Sequence, residues 1–349
     1  MMNLTKTQLK ILNEERSKVV VMSSAASGKT ALLTEKVRRI LRSGIDPREI
    51  AVITFTNMAA SELIQRLGTD YKEGIFIGTI HALANYMLRA GGVDTSKILN
   101  EEKFDELFQL ISKNSHCVKH LKWILLDEAQ DSDKLQFDFL FKMINPSNFF
   151  VVGDLKQTIY RWKGSRPELL EDLATRPDVK VYEMPENFRN NIKILEFAKR
   201  IIRPTGLIDL SIPMREGLGK VEELPLDFKV IVKKLKECPL YKTWAILCRT
   251  NAEIEQISYI LKKNGIPFDT FRQGDLSKDE LLTKMNQDTV KILTVHSAKG
   301  LEWENVMVLG IRYFSIEERC IGYVAATRAK NQLIWFTSSR KKKVKVHDW

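Results

Sequence analysis

The sequence predicts an α/β protein made of two parallel-sheet units, and three observations carry that reading. Short, almost wholly apolar runs alternate with helical stripes along the whole chain, as expected of parallel strands covered on both faces. One such run, VVVM, leads into a small-residue loop with a lysine and then a helical pattern (residues 19–33). Another, WILL, is cut off by two adjacent carboxylates and then Gln130 and Asp131.

Taken in order, the expected strands are Val19–Met22, Ala51–Phe55, Ile124–Leu126, Phe149–Val152, Trp244–Cys248, Val290–Val295, Val306–Leu309 and Leu333–Phe336. Ile194, Leu195, Ala198, Ile201 and Ile202 form one helical stripe. Ile254, Ile257, Ile260 and Leu261 form another, closed by Gly265 and Pro267. The junction is expected near Pro185, giving units of residues 1–185 and 186–349. The Pro- and Gly-bearing stretch Pro204–Pro225 reads as an irregular excursion within the second unit.

A small-residue loop between strand and helix cradles phosphates with its backbone N–H groups. In SSAASGKT (residues 23–30) the loop is Ser24, Ala25, Ala26, Ser27 and Gly28; Lys29 reaches the β and γ oxygens and Thr30 ligates Mg²⁺. Ser23 stands at the first glycine of the usual phosphate-loop pattern. Ala26 replaces another common glycine, at about 1 kcal/mol if its φ is positive. A strand ending in Asp127 and Glu128 delivers both to the carboxyl edge of the sheet. There Asp127 can hold the metal and Glu128 can deprotonate a water for attack on the γ-phosphate. By itself the stretch reads equally as an ordinary strand followed by a solvated acidic turn; the phosphate loop upstream favours a nucleotide-hydrolysing core.

With 349 residues and 44% hydrophobic content, the chain can bury one large core or two of ordinary size, and two are expected. A net charge of +11 suits a polyanionic partner. Four cysteines without metal-ligand spacing argue for a reduced, intracellular protein with no zinc or iron–sulfur site. The N-terminus lacks a secretory apolar core, and no apolar run approaches the ~20 residues that span a bilayer. A soluble, cytoplasmic protein is expected.

Read motif by motif, the chain resembles the UvrD/Rep type of superfamily 1 helicase. LTKTQLKIL is similar to its Q motif, SSAASGKT to Walker A, ITFTNMAASEL to motif Ia, GTIHALA to motif Ib and LLDEAQD to motif II. VVGDLKQTIYRWKGS is similar to motif III, ENFRN to motif IV, VKILTVHSAKGLEWENV to motif V and EERCIGYVAATRAK to motif VI. The resemblance implies two RecA-like domains, ATP with Mg²⁺ in the cleft between them, and 3′-to-5′ movement on single-stranded DNA. It also implies a ribose contact for Glu302.

Several residue types fit those roles. Gln8 can present its amide to adenine, and Phe188 can stack on the base. Gln157, after the strand ending at Gly153, is placed to report γ-phosphate occupancy. Arg189 and Arg328 can act as arginine fingers, with surface salt bridges as the plain alternative. Candidate DNA contacts are Phe55, Thr56 and Asn57, His81, the Tyr160, Trp162 and Lys163 group, and His296 with Trp303. For Phe55 and Trp303 the core and DNA readings stand level. Trp162, set among Arg161, Lys163 and Gly164, is the best stacking candidate.

The departures are informative too. Only residues 85–124 separate the motif Ib and motif II segments, so the family's 1B insertion is expected to shrink to a helix or two within about 90–120, such as Glu101–Lys113. Only residues 269–289 separate the IPF segment 266–268 from motif V, which leaves no room for a full 2B insertion. Arginine often follows the GKT of the family; here it is Ala31. The expected activity is an ATP-driven DNA translocase acting on single strands and on single/double-strand junctions. The alternative is a DNA-sensing ATPase subunit that regulates a protein partner such as a nuclease. For the basic end after Leu333–Phe336 the resemblance implies a hairpin wedge, with Ser338–Lys343 as a turn and Val344, Val346 and Trp349 in a return strand; the plain alternative is a basic tail.

Overall fold

The computed structural model describes residues 4–238, 240–271, 276 and 278–337. The chain divides into two compact units, Met1–Glu186 and Asn187–Trp349.

The first unit is built on six strands: β1 (Lys18–Ser23), β2 (Ile50–Ile53), β3 (Phe76–Gly78), β4 (Trp123–Leu126), β5 (Asn148–Gly153) and β6 (Lys180–Met184). They lie in the order β3-β2-β4-β5-β1-β6, every pair parallel. Successive side chains of a strand point to opposite faces, and here both faces are covered. Val20, Ile53, Ile124, Leu126 and Val151 face Leu83, Met87, Leu107, Phe139 and Leu140. Val19, Val21, Val52, Leu125 and Phe150 face Leu32, Leu33, Val37, Leu63 and Leu67. That two-sided burial is why these strands read as continuous apolar runs. Cutting one of these side chains back, as in Leu125→Ala, removes about 2–5 kcal/mol.

The second unit repeats the plan with β7 (Lys220–Pro225), β8 (Trp244–Cys248), β9 (Phe268–Thr270), β10 (Val290–Thr294), β11 (Trp303–Val308) and β12 (Ala329–Thr337). Their order is β9-β10-β8-β11-β12-β7, again all parallel. Helices Phe228–Glu237 and Asn251–Lys263 cover one face through Ile231, Leu235, Ile257 and Leu261. Helices Ile192–Ile202 and Ile316–Ala326 pack on each other, and Phe197 of the first lies 5.2 Å from the Trp335 ring of β12.

All eight expected strands are present, with differences at their limits. β2 stops at Ile53 rather than Phe55, because the Thr54 hydroxyl donates to the Thr56 carbonyl (3.0 Å) and Thr56 caps the helix Asn57–Leu67. The stretch Pro204–Pro225 is not irregular throughout: Lys220–Pro225 forms edge strand β7, in register with Gln332–Thr337. The expected helix Glu101–Lys113 is shorter, Glu106–Lys113, and follows a second short helix, Ser96–Asn100. β12 has a parallel neighbour on each side through Trp335, so a strand returning against Leu333–Trp335 has no open edge to pair with there. The proposed turn and return strand, residues 338–349, lie outside the described residues.

Candidate functional site

Strand β1 ends in the phosphate loop. The Ser23 hydroxyl donates to the Gly153 carbonyl at the end of β5 (2.9 Å), a bridge that a glycine could not make. Ala26 and Gly28 both have positive φ, 54° and 84°, so the methyl of Ala26 does sit in the strained left-handed region. Gly28 leads into the helix Lys29–Arg42, whose first N–H groups have no intrahelical partner. Ser24 and Ala25 are buried. The Ser27 hydroxyl is wholly buried and meets no hydrogen-bond partner among the described residues. An orphaned hydroxyl, helix-start N–H groups, Lys29 and Thr30 on one turn are the donor set that phosphates and Mg²⁺ require.

Gln8 is buried against this loop. Its Nε2 donates to the Ser27 carbonyl (3.1 Å), while its Oε1 accepts from Thr5 N–H (3.0 Å) in a capping box. Gly28 needs glycine for its positive φ, and a Cβ there would stand 3.0 Å from Gln8 Nε2, so the amide would have to give way. The amide expected to read adenine is therefore tied, in this structure, to the loop that holds the phosphates.

Beyond β4, Asp127 is almost buried and its Oδ1 accepts the Glu128 N–H (2.9 Å). Glu128 has φ 51° and ψ 42°, left-handed for a non-glycine residue, a conformation that persists only where its surroundings impose it. Two contacts do so. Lys29 Nζ lies 2.8 Å from Glu128 Oε1, and Gln130 Nε2 donates to Glu128 Oε2 (2.5 Å). Phosphate-loop lysine and candidate base thus meet directly. Gln157 is buried, and its amide donates to Asp154 Oδ2 (2.7 Å).

A pocket of about 390 Å³ opens beside the acid pair. It runs from Asp127 and Glu128 past Asp131 and Asp133 to Phe55, His81, Tyr160 and Lys163. Phe55, which the sequence left undecided, is 41% exposed and stacks on Tyr160 with 5.1 Å between centroids. Lys163 Nζ lies 5.7 Å from the Tyr160 ring and 5.1 Å from Trp162. Trp162 is 64% exposed. His81 Nε2 is 3.2 Å from Asp105 and its ring packs on Phe108. Thr56 spends its hydroxyl on the Ala59 N–H, with Asn57 opening that helix. Asp133 is raised above the usual carboxylate range by burial.

In the second unit, Asn187 Oδ1 accepts from the N–H groups of Arg189 and Asn190 (3.0 and 2.8 Å) and so folds the ENFRN turn. Asn190, fully buried, donates to the carbonyls of Thr327 and Ala329 and stitches that turn to the ATRAK segment. Arg189 donates to Glu302 Oε2 (2.6 Å) and to the Thr327 carbonyl (3.1 Å). Burial pushes the Glu302 carboxyl up, but Arg189 and Lys330 outweigh it and bring it to about 2. Phe188 is 43% exposed. Arg328 is 2% exposed, donating to the carbonyls of Val324 and Leu301 and to the Thr327 hydroxyl. It is not the surface salt bridge that the sequence also allowed. His296 is half-buried in the turn after β10. Trp303 is 3% exposed, which corrects the DNA-stacking expectation in favour of the core: it opens β11, where its N–H donates to the Arg328 carbonyl.

The residues that sequence reasoning passed over are Gln130, Asp154, Asn187 and Asn190. All are buried amides or carboxylates holding motif segments together, and a polar side chain in a motif carries no sign of its hydrogen-bond partner.

The profile of the UvrD/REP helicase N-terminal domain matches residues 4–115 and 103–178, and that of the UvrD-like helicase C-terminal domain matches 271–340. A probable DNA helicase of Mycoplasma pneumoniae is 24% identical over 90% of this chain and 79% of its own length. The ATP-dependent DNA helicase Rep of Escherichia coli is 24% identical over 71% of this chain and 52% of Rep, so the matched region spans about half of that relative. The Gabija protein GajB of Bacillus cereus is 23% identical over 93% of both chains. No described helix is long and apolar enough to cross a membrane. Two parallel-sheet units, a phosphate loop salt-bridged to the acid pair, and profile matches at both ends lead to one conclusion: the chain belongs to the UvrD/Rep family of DNA helicases.

Proposed function

We propose that this chain is an ATP- and Mg²⁺-dependent translocase on single-stranded DNA, moving 3′ to 5′ and opening duplexes at single/double-strand junctions. The observation that carries the reading is one of position. The short segment Asp127–Asp133 supplies the candidate base and metal ligand at one end and lines the aromatic pocket at the other. Nucleotide chemistry and strand contact therefore hang on the same end of the same strand.

In the hydrolytic step, Glu128 takes a proton from the attacking water as its oxygen bonds to the γ-phosphorus. The bond from that phosphorus to the β–γ bridging oxygen breaks, and ADP leaves. Thr30 and Asp127 would hold Mg²⁺, which when bound would supply charge neutralisation. Lys29 leaves Glu128 for the phosphate oxygens, which frees the carboxylate for the water. Arg189 and Arg328, on the second unit, would act on the transferring phosphoryl. Gln8 and Phe188 would contact the base and Glu302 the ribose.

The pocket receives bases rather than phosphates. Phe55 and Tyr160 offer ring faces, while Asp105, Asp131 and Asp133 would repel a phosphate and accept N–H groups. Trp162, Lys163, His81, Thr56 and Asn57 would extend the track, and His296 is the strand contact proposed on the second unit. Stacking is sequence-tolerant, which a motor requires.

The test is ATP turnover without nucleic acid and with single-stranded DNA, duplex DNA and RNA, alongside unwinding of a 3′-tailed duplex. Stimulation by single-stranded DNA with unwinding is expected; turnover indifferent to DNA would overturn the proposal. A second reading is favoured by the length match with GajB, which covers 93% of both chains. Under it the chain is an ATPase whose DNA-dependent hydrolysis regulates a protein partner such as a nuclease. Stimulated turnover without unwinding, together with a stable co-purifying partner, would select it.

A further inference from the structure

Gln130 is wholly buried and no step above uses it, yet both ends of its amide are committed. Its Nε2 donates to Glu128 Oε2 (2.5 Å), and its Oε1 accepts the backbone N–H of Asp154 (2.9 Å). The fit is close: a Cβ added at Gly153 would meet Gln130 Oε1 at 3.0 Å and Leu170 at 2.5 Å. Asp154 is buried in turn. Its carboxylate accepts from Gln157 Nε2 at Oδ2 (2.7 Å) and pairs with Lys156 Nζ at Oδ1 (2.8 Å). Only glutamine or asparagine carries both a donor for the carboxylate and an acceptor for the N–H, and asparagine is a methylene shorter.

We propose that Gln130 is a positioning residue that aims the Glu128 carboxylate at its water and locks that aim to the Asp154 turn carrying Gln157. This rests on the assignment of Glu128 as the base. Glu128 stands in a left-handed backbone conformation, and its carboxylate is held by the Gln130 amide and by Lys29. When Lys29 turns to phosphate, the Gln130 amide remains as a contact fixing the carboxylate. Three hydrogen bonds then run from base to Gln157: Glu128 to Gln130, Gln130 to Asp154, Asp154 to Gln157. A shift of Gln157 on meeting the γ-phosphate is thereby felt at the base.

The test is single-turnover ATP hydrolysis with saturating single-stranded DNA, on the full chain. A positioned base contributes 10²–10⁴-fold, so Gln130→Ala is expected to lose about 10–100-fold in rate with little change in ATP affinity. Gln130→Glu keeps the shape but sets a second carboxylate against Glu128. Two carboxylates in contact cannot both ionise freely, so the pH–rate profile should gain an ionisation above the usual carboxylate range that the wild type lacks. In the double variant Gln130→Ala with Gln157→Ala, the losses should be less than additive, because one relay is cut twice. A Gln130→Glu profile that overlays the wild type, with an unchanged melting temperature, would overturn the proposal, as would strictly additive losses. If Gln130→Ala does not fold, the isosteric glutamate variant still decides. A Glu128→Gln enzyme that hydrolyses ATP normally would bring down the assignment of the base itself; an inactive Glu128→Gln beside an unaltered Gln130→Glu profile would bring down only the role given to Gln130.

Discussion

The two units share a fold but hold their charged groups in opposite ways. In the first, the reactive groups are turned towards one another and towards open space: Lys29 on Glu128, Gln130 behind it, and a pocket beside both. In the second, the arginines are enclosed by their own unit. Arg189 is bound to Glu302 and a carbonyl, and Arg328 is wrapped in carbonyls at the end of its helix. The first arrangement is a preorganised site. The second holds its positive charge in bonds within its own unit; under the proposed arginine-finger role those bonds would have to exchange partners, and that exchange is where ligand-dependent control could enter.

The largest effects should come from the preorganised side. Lys29→Ala and Glu128→Gln should each bring ATP turnover to background, by different routes. The first removes a phosphate contact, so nucleotide binding weakens as well. The second keeps the cradle, so ATP still binds, as equilibrium titration with a fluorescent ATP analogue would show. Wild-type turnover by Glu128→Gln would dissolve the contrast between the units at once.

The enclosed side should respond next. Arginine fingers are worth about 10³-fold or more in kcat, so Arg189→Ala and Arg328→Ala should lower kcat by that order with modest change in KM for ATP. A truncated chain ending at Pro185 should be equally defective. Full activity from it would show that the first unit needs nothing from the second. Arg328→Ala also strips donors from buried carbonyls, so its melting temperature must be measured beside its rate.

How much of this was legible beforehand follows the same physical divide. Strands covered on both faces, such as Val19–Met22 and Trp244–Cys248, are continuous apolar runs and were read directly. The strands passed over were β3, β6, β7 and β9, each at or next to a sheet edge, short or mixed in polarity: β6 is KVYEM and β7 is KVEELP. Half-solvated strands lack the run that announces a buried one. In the site, residues whose chemistry depends on type, such as Lys29, Asp127 and Glu128, could be named from the motif. Gln130, Asp154 and Asn190 act through a partner distant in sequence, and only the fold supplies that partner. Phe55 and Trp303 had the same alternatives in sequence; one proved 41% exposed and the other 3%.

A smaller effect is expected at the rim of the pocket. Trp162→Ala should weaken single-strand binding by roughly 1–3 kcal/mol, since it removes stacking on an exposed ring. The dependence of binding on salt should not change, because no charge is lost. Lys163→Ala should instead lower that dependence. A Trp162→Ala chain with a depressed melting temperature and unchanged DNA affinity would assign the ring to packing.

On the enclosed side, the Glu302 pair makes a pH-dependent contribution to stability. Its carboxyl stands at about 2 in the folded chain against 4.5 for a free glutamate. A depressed folded value stabilises above the unfolded one and is lost as pH falls from 4.5 towards 2. Glu302→Gln should therefore cost melting temperature near neutral pH, and the gap to wild type should close on acidification through that window. The side chain is 42% exposed, so solvent screens the pair and the effect is modest. A gap that stays constant with pH would mean that Arg189 is not held by this carboxylate.

The smallest effect concerns the cost of preorganisation itself. Ala26 holds φ 54° in the phosphate loop, where a methyl is strained by about 1 kcal/mol. Glycine relieves that strain but adds freedom to the unfolded chain, which offsets part of the gain. Ala26→Gly should accordingly raise the melting temperature slightly, by no more than the few degrees that about 1 kcal/mol gives in a domain of this size. The cost of the methyl is tolerable only if the stiffer loop does something in return. A loop already set in its phosphate-binding shape loses less entropy when the nucleotide arrives, so the same substitution should weaken ATP binding while it stabilises the free chain. Opposite signs in the two measurements would show that the first unit keeps a strained loop for the sake of its ligand. Equal signs would show that Ala26 is merely tolerated, and that preorganisation in this unit resides in Glu128 and Gln130 alone.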